Sequence, residues 1–95
     1  MATRASMDAL MQQCEDTIRY AKEQFETSSL QEHYNNDDYT KALQDLEQTY
    51  QDIAKMAHSA NSQQRDQLHR MRLQIQQLQN TMILEGQTYT GGNLT

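Results

Sequence analysis

The chain has no proline, and its only glycines, Gly86, Gly91 and Gly92, fall at the C-terminal end. From Met1 to Glu85, therefore, no residue removes a backbone donor or sharply lowers helix propensity, and nothing in that span forces a helix to stop. Cysteine occurs once, at Cys14, which excludes an internal disulfide and suits a reducing compartment. Aromatic residues make up 6% and hydrophobic residues 36% of the 95, with a mean hydropathy of -0.99. A core is feasible but thin, because a short chain buries a smaller fraction of its surface. No window approaches the roughly 18 apolar residues of a membrane span. The start, MATRASMDAL, carries no apolar run of signal-peptide length. These absences set the expectation of a cytoplasmic protein with no membrane segment. Basic charge is scarce as well. The net charge of -5 argues against bare nucleic acid or an anionic membrane as the main partner.

What is present is helical periodicity, and it predicts an all-α protein. The first helix is expected over about residues 6–33, with Ser6 as its N-cap and Asp8 at the positive end of its dipole. Met7, Leu10, Met11, Cys14, Ile18, Ala21 and Phe25 follow at steps of three and four, which place them on one face. Asn35-Asn36-Asp37-Asp38 is the best break in the first half, since these side chains bond nearby backbone and favour turns and caps. The second helix, 37–60, then carries the cleanest stripe: Tyr39, Leu43, Leu46, Tyr50, Ile53, Ala57 and Ala60.

The second break is less marked. Asn61 with Gln64 makes a partial capping box, and extending the stripe past Ala60 would put Gln64 and Gln67 on the apolar seam. Restarting at Leu68 recovers Met71, Ile75, Leu78 and Met82. The expectation is a turn over 58–62, with one long bent helix from Asp37 to Glu85 as the alternative. The third helix, 62–85, is expected to stop at Gly86, leaving 86–95 as a disordered, flexible tail. The fold read from these elements is one domain, 1–85, built as an antiparallel three-helix bundle or a coiled-coil-like helical hairpin.

Charge is uneven along the chain. Arg4 to His33 holds three basic and six acidic residues, and Tyr34 to Ala60 holds two and five, so each is net -3. Asn61 to Glu85 holds three basic and two acidic residues, net +1. The third helix is thus the member able to pair with the other two, and that pairing is the expected use of its basic cluster, Arg65, His69, Arg70 and Arg72.

Chemistry-bearing patterns are few. There is no glycine-rich phosphate loop, no HExxH and no serine or cysteine nucleophile in a recognisable setting. Cys14 falls on an apolar stripe and reads as a buried small hydrophobe rather than a redox sensor. In an up-down-up bundle His33 lies at the opposite end from His58 and His69, so the three cannot share a metal. Asp37 and Asp38 lack the glycine and terminal glutamate of a calcium loop and read as capping residues. No cofactor and no metal is expected.

The blocks QEHYNNDDY (31–39) and QQRDQLHRMRLQIQQLQNTMIL (63–84) resemble the YtzC-like small proteins of Bacillus-type spore-forming bacteria. The resemblance implies a cytoplasmic helical protein carrying a domain of unknown function. It brings no activity or catalytic residue to carry over. The expectation is a non-enzymatic protein–protein interaction or oligomerisation module, a dimer included. Its contact face on the third helix comprises Arg65, His69, Arg72, Leu73 and Leu84. A nucleic-acid accessory using the same basic cluster, and a redox or metal sensor, are the alternatives.

Overall fold

A computed structural model describes residues 2–31, 34 and 36–91, with the backbone alone for 87–91. It contains three helices: α1 (Arg4–Gln31), α2 (Asp37–Ser59) and α3 (Ser62–Gly91). They pack side by side along a body of 49 × 23 × 15 Å. A 30-residue helix such as α3 spans about 45 Å at 1.5 Å per residue, so the bundle is one helix long. Each helix packs on both others, α1 with α2 most extensively. The three-helix bundle is therefore the arrangement adopted.

Side-chain caps fix the ends. Thr3 caps α1: its hydroxyl accepts from the Ser6 amide at 3.0 Å while Ser6 Oγ accepts from the Thr3 amide at 3.0 Å. Ser6, expected as the cap, is instead the reciprocal partner one turn in, because the helix starts at Arg4, three residues before the apolar stripe does. Asn36 caps α2, its Oδ1 accepting from the Tyr39 amide at 2.7 Å, with Asp37 and Asp38 in the first turn and His58 in the last. The turn over 58–62 forms. Ala60 takes an extended conformation, with φ -85° and ψ 148°. Asn61 and Gln64 complete a capping box, at 2.8 and 2.9 Å.

The far end of α3 also differs from expectation. α3 does not stop at Gly86 but runs on to Gly91. A single glycine costs a helix only about 1 kcal/mol relative to alanine, and no proline or second glycine occurs until Gly91. Residues 92–95 of the expected tail lie outside the described residues, as do Glu32, His33 and Asn35.

The core holds Met7, Leu10, Cys14 and Ala21 from α1; Tyr39, Ala42, Leu46 and Ile53 from α2; and Leu68, Met71, Ile75 and Met82 from α3. α2 buries a wider face than its Tyr39–Leu43–Leu46 stripe, because it serves two neighbours. Ala42 and Thr49 are buried alongside Leu46 and Ile53. With Cys14, Ala21 and Ser28 they supply small buried side chains on the two helices that pack most extensively.

Both ends of the bundle are tied. At one, Tyr39 donates its hydroxyl to the Met82 carbonyl at 2.6 Å and meets Tyr34 edge-on, with ring centroids 5.5 Å apart. Burial, with Tyr34 and Glu85 nearby, pushes the Tyr39 phenol up to about 12. Asn36 Nδ2 reaches back to buried Ser28 on α1 at 3.2 Å. At the other end the Ala2 amide donates to the Ser59 carbonyl at 2.7 Å, and Gln64 Nε2 donates to the Ala2 carbonyl at 3.3 Å. The N-terminal segment is thereby pinned across the α2–α3 turn.

Candidate functional site

The basic residues of α3 sit at steps of four and three, so Arg65, His69 and Arg72 share one face. The fold lays that face along α2. The three side chains line a groove of about 240 Å³ together with Ile53, Ala57 and Leu68. Ile53 and Leu68 are fully buried and form its floor. The groove thus has an apolar base and a basic rim, with no carboxylate among its lining residues.

The expected pairing of this cluster with the acidic helices does not occur. Among the described residues the ion pairs are Arg19–Asp16, Lys41–Asp45 and Arg70–Asp66, each within one helix and each exposed. Such solvent-exposed pairs, screened by salt, add little to stability. Arg70 joins Asp66 on the outer surface, away from the groove. Arg72 instead lies over the Tyr50 ring, 5.4 Å from its centroid. Most described acidic residues of α1 and α2 are exposed, and none forms an ion pair with the α3 rim.

Of the five residues singled out on α3, the fold brings three into the groove and sets two apart. Leu73 follows Arg72 and is turned about 100° around the helix. Leu84 lies three turns further along on that same outer strip. They are 49% and 60% exposed and stand three turns apart, with Gln76, Gln77 and Asn80 between them, while Ile83, on the Arg72 side of the helix, is 43% exposed. α3 therefore presents a basic-rimmed groove toward α2 and, away from it, two separated exposed leucines.

The other polar arrangements hold the bundle together. Buried Thr49 meets Thr17 Oγ1 at 3.2 Å and accepts from Gln13 Nε2 at 3.4 Å; Gln13 also donates to Asp52 at 2.8 Å. Gln79 donates to Glu47 across α2 and α3 at 3.0 Å, and Gln51 donates to the same carboxylate. These two amides hold the Glu47 carboxyl below the usual carboxylate range. Among the described residues every buried side-chain nitrogen and oxygen has a partner. Cys14 is fully buried, and burial, with Asp52 and Glu15 adding to it, pushes its thiol up to about 11. Such a thiol stays protonated at neutral pH and is a poor nucleophile. No group of three or more His, Cys, Asp or Glu side chains among the described residues is placed to hold a metal ion. His58 and His69 are exposed. No described helix is long and apolar enough to cross a membrane.

Sequence reasoning found the rim but missed the seat of Arg72 and the Thr49 network. The signal for Thr49 was present. Ala42, Leu46, Thr49 and Ile53 step by four, three and four, as regularly as the stripe through Leu43 and Tyr50.

The family model described as "Protein of unknown function (DUF2524)" matches residues 1–84. The chain belongs to this family. It is also 51% identical over 85 residues to the uncharacterized protein YtzC of Bacillus subtilis (strain 168), covering 90% of this chain and 94% of that relative. The match spans all three helices up to Leu84, so in this DUF2524 member the groove and its rim lie wholly inside the family region. No solved structure matches the chain.

Proposed function

We propose that this protein is a non-enzymatic, cytoplasmic interaction module that acts by presenting the surface of α3 to a protein partner or to a second copy of itself. The observation that carries the reading is the division of labour on α3. Its buried stripe completes the core, yet its remaining surface keeps Arg65 and Arg72 without an ion pair among the described residues, with His69 between them, and three large apolar side chains in solvent. Arginines set over an apolar groove without an acidic partner, and leucines left in solvent on the same helix, are the features an interaction surface would use. Nothing in the core or the caps requires Arg65, Leu73 or Leu84. The buried, protonated thiol fits a protein that works in a reducing compartment without redox chemistry of its own.

Size-exclusion chromatography with light scattering tests the self-association arm. A dimer mass that falls to the monomer mass in the Leu73→Ser, Leu84→Ser variant supports it. The partner arm is tested by capturing proteins from lysate on the immobilised chain and on an Arg65→Ala, Arg72→Ala variant. A monomer with the same captured set on both forms would remove α3 from the proposal.

A further inference from the structure

We propose that the groove between α2 and α3 receives an acidic amphipathic helix of a partner protein, with carboxylates one heptad apart facing Arg65 and Arg72 and an apolar side chain resting on half-buried Ala57, above the covered Ile53 and Leu68. This rests on the reading of α3 as the interaction surface and narrows it to one partner chemistry.

Charge is the first support. Of the six groove residues two are arginines, one is a histidine and three are apolar. This concentration occurs in a chain of net charge -5, whose described ion pairs leave Arg65 and Arg72 without an acid. A guanidinium held over an apolar floor is best complemented by a carboxylate brought from outside, through charge-assisted hydrogen bonds. Volume is the second. At about 240 Å³ the groove is smaller than the roughly 300–1,000 Å³ of small-molecule pockets, and it holds one or two side chains rather than a free ligand. Spacing is the third. Arg65 and Arg72 are seven residues apart, about 10.5 Å along the axis, and a helix alongside repeats a face at the same rise. Helix-in-groove binding reads such i, i+3, i+4 and i+7 positions.

The extent of the rim favours a short acidic stretch over a long polyanion. Further along the same α2–α3 junction stands Glu47, held by Gln79 and Gln51. A nucleic-acid backbone continuing along the groove would meet this carboxylate and then the acidic remainder of the molecule.

The test uses the full chain and a fluorescein-labelled peptide of about three heptads, with Leu at the a and d positions and Glu at e and g. A second peptide carries Lys in place of each Glu, and a labelled oligothymidylate forms the third arm. Anisotropy is read at about 50 mM salt, where contacts between charges are strongest. The Glu peptide is expected to bind, and Arg65→Glu and Arg72→Gln are each expected to weaken it about tenfold, with circular dichroism unchanged. Leu73→Ser and Leu84→Ser leave its binding unaltered, and the Lys peptide binds only the Arg65→Glu, Arg72→Glu variant. The proposal is overturned if the Glu peptide does not bind, if its binding ignores both arginines, or if oligothymidylate binds more tightly. Should the Leu73→Ser, Leu84→Ser variant alone lose peptide binding or self-association, the interaction role survives and the partner chemistry fails. Should neither surface engage a peptide or a second copy, both fail.

Discussion

The two faces of α2 make opposite use of polar residues. Toward α1 they are turned inward and satisfied: Thr49 meets Thr17 and Gln13, Ser28 meets Asn36, and small side chains such as Ala42, Ala21 and Cys14 are buried between the helices. Toward α3, over the half nearest the turn, the rim is turned outward and left without acids: Arg65, His69 and Arg72 stand over Ile53, Ala57 and Leu68. One junction is closed by hydrogen bonds between part-buried side chains. The other keeps charge in solvent over an apolar base. The lesson is that both junctions hold core side chains but only the second carries a basic rim without an ion pair among the described residues, so substitutions in the α1–α2 network and in that rim should separate stability from binding.

The largest effect is expected in the core. Leu46 is fully buried, and Leu46→Ala should cost about 2–5 kcal/mol, read by chemical denaturation. A loss under about 1 kcal/mol would mean that the bundle is far looser than its buried stripe implies. Alkali should act on the closed side next. Cys14 and Tyr39 both have pKa values raised by burial above 9.0 and 10.0, to about 11 and about 12. A raised pKa favours the folded state while the group is protonated. The contribution is complete below the unfolded value and is lost as pH rises through the folded one. Unfolding midpoints should therefore hold steady up to about pH 9 and fall between pH 9 and 12. Cys14→Ala should flatten the lower part of that fall.

Thr49→Val keeps the shape and removes the hydroxyl that Thr17 and Gln13 meet. It should cost about 1 kcal/mol and leave peptide binding untouched. Gly86→Ala should work in the other direction. Gly86 is helical, and a Cβ there would lie 3.8 Å from Tyr34 Cβ, an ordinary contact. The gain should be about 0.5–1 kcal/mol from helix propensity. Smallest of all, Arg65→Ala should change stability by no more than about 0.5 kcal/mol, as exposed surface positions do, while lowering affinity for an acidic helix. If Arg65→Ala destabilised the bundle as Thr49→Val does, the contrast between the two junctions would collapse.

Much of this architecture was legible in the residues. Asn36 and Asn61 announced both breaks because their side chains have an amide to cap, and the structure places each on that amide at 2.7 and 2.8 Å. Cys14, Leu46, Ile53, Leu68 and Ile75 announced the core through helical spacing. Two things were not legible. A helix with two neighbours buries two overlapping stripes, and polarity alone set Thr49 aside from the second. Gly86 looked like a stop, but whether a lone glycine ends a helix depends on the residues after it and on the side chains packed there, here Tyr34. For the α3 surface, the sequence supplied the shared face of Arg65, His69 and Arg72 but not its relation to Leu73 and Leu84. That relation follows from which stripe of α3 is buried, since residues one apart diverge by about 100°.

The most direct test of the central claim is an amide chemical-shift titration of the isotope-labelled full chain with the Glu peptide. If the α2–α3 groove is the spare, charge-seeking surface, shifts should concentrate on the α2 and α3 residues around Ile53, Ala57, Arg65, Leu68, His69 and Arg72. The amides of Cys14, Ala21 and Ala42 should stay still. Shifts centred on the α1–α2 junction, or none along the groove at saturating peptide, would contradict it.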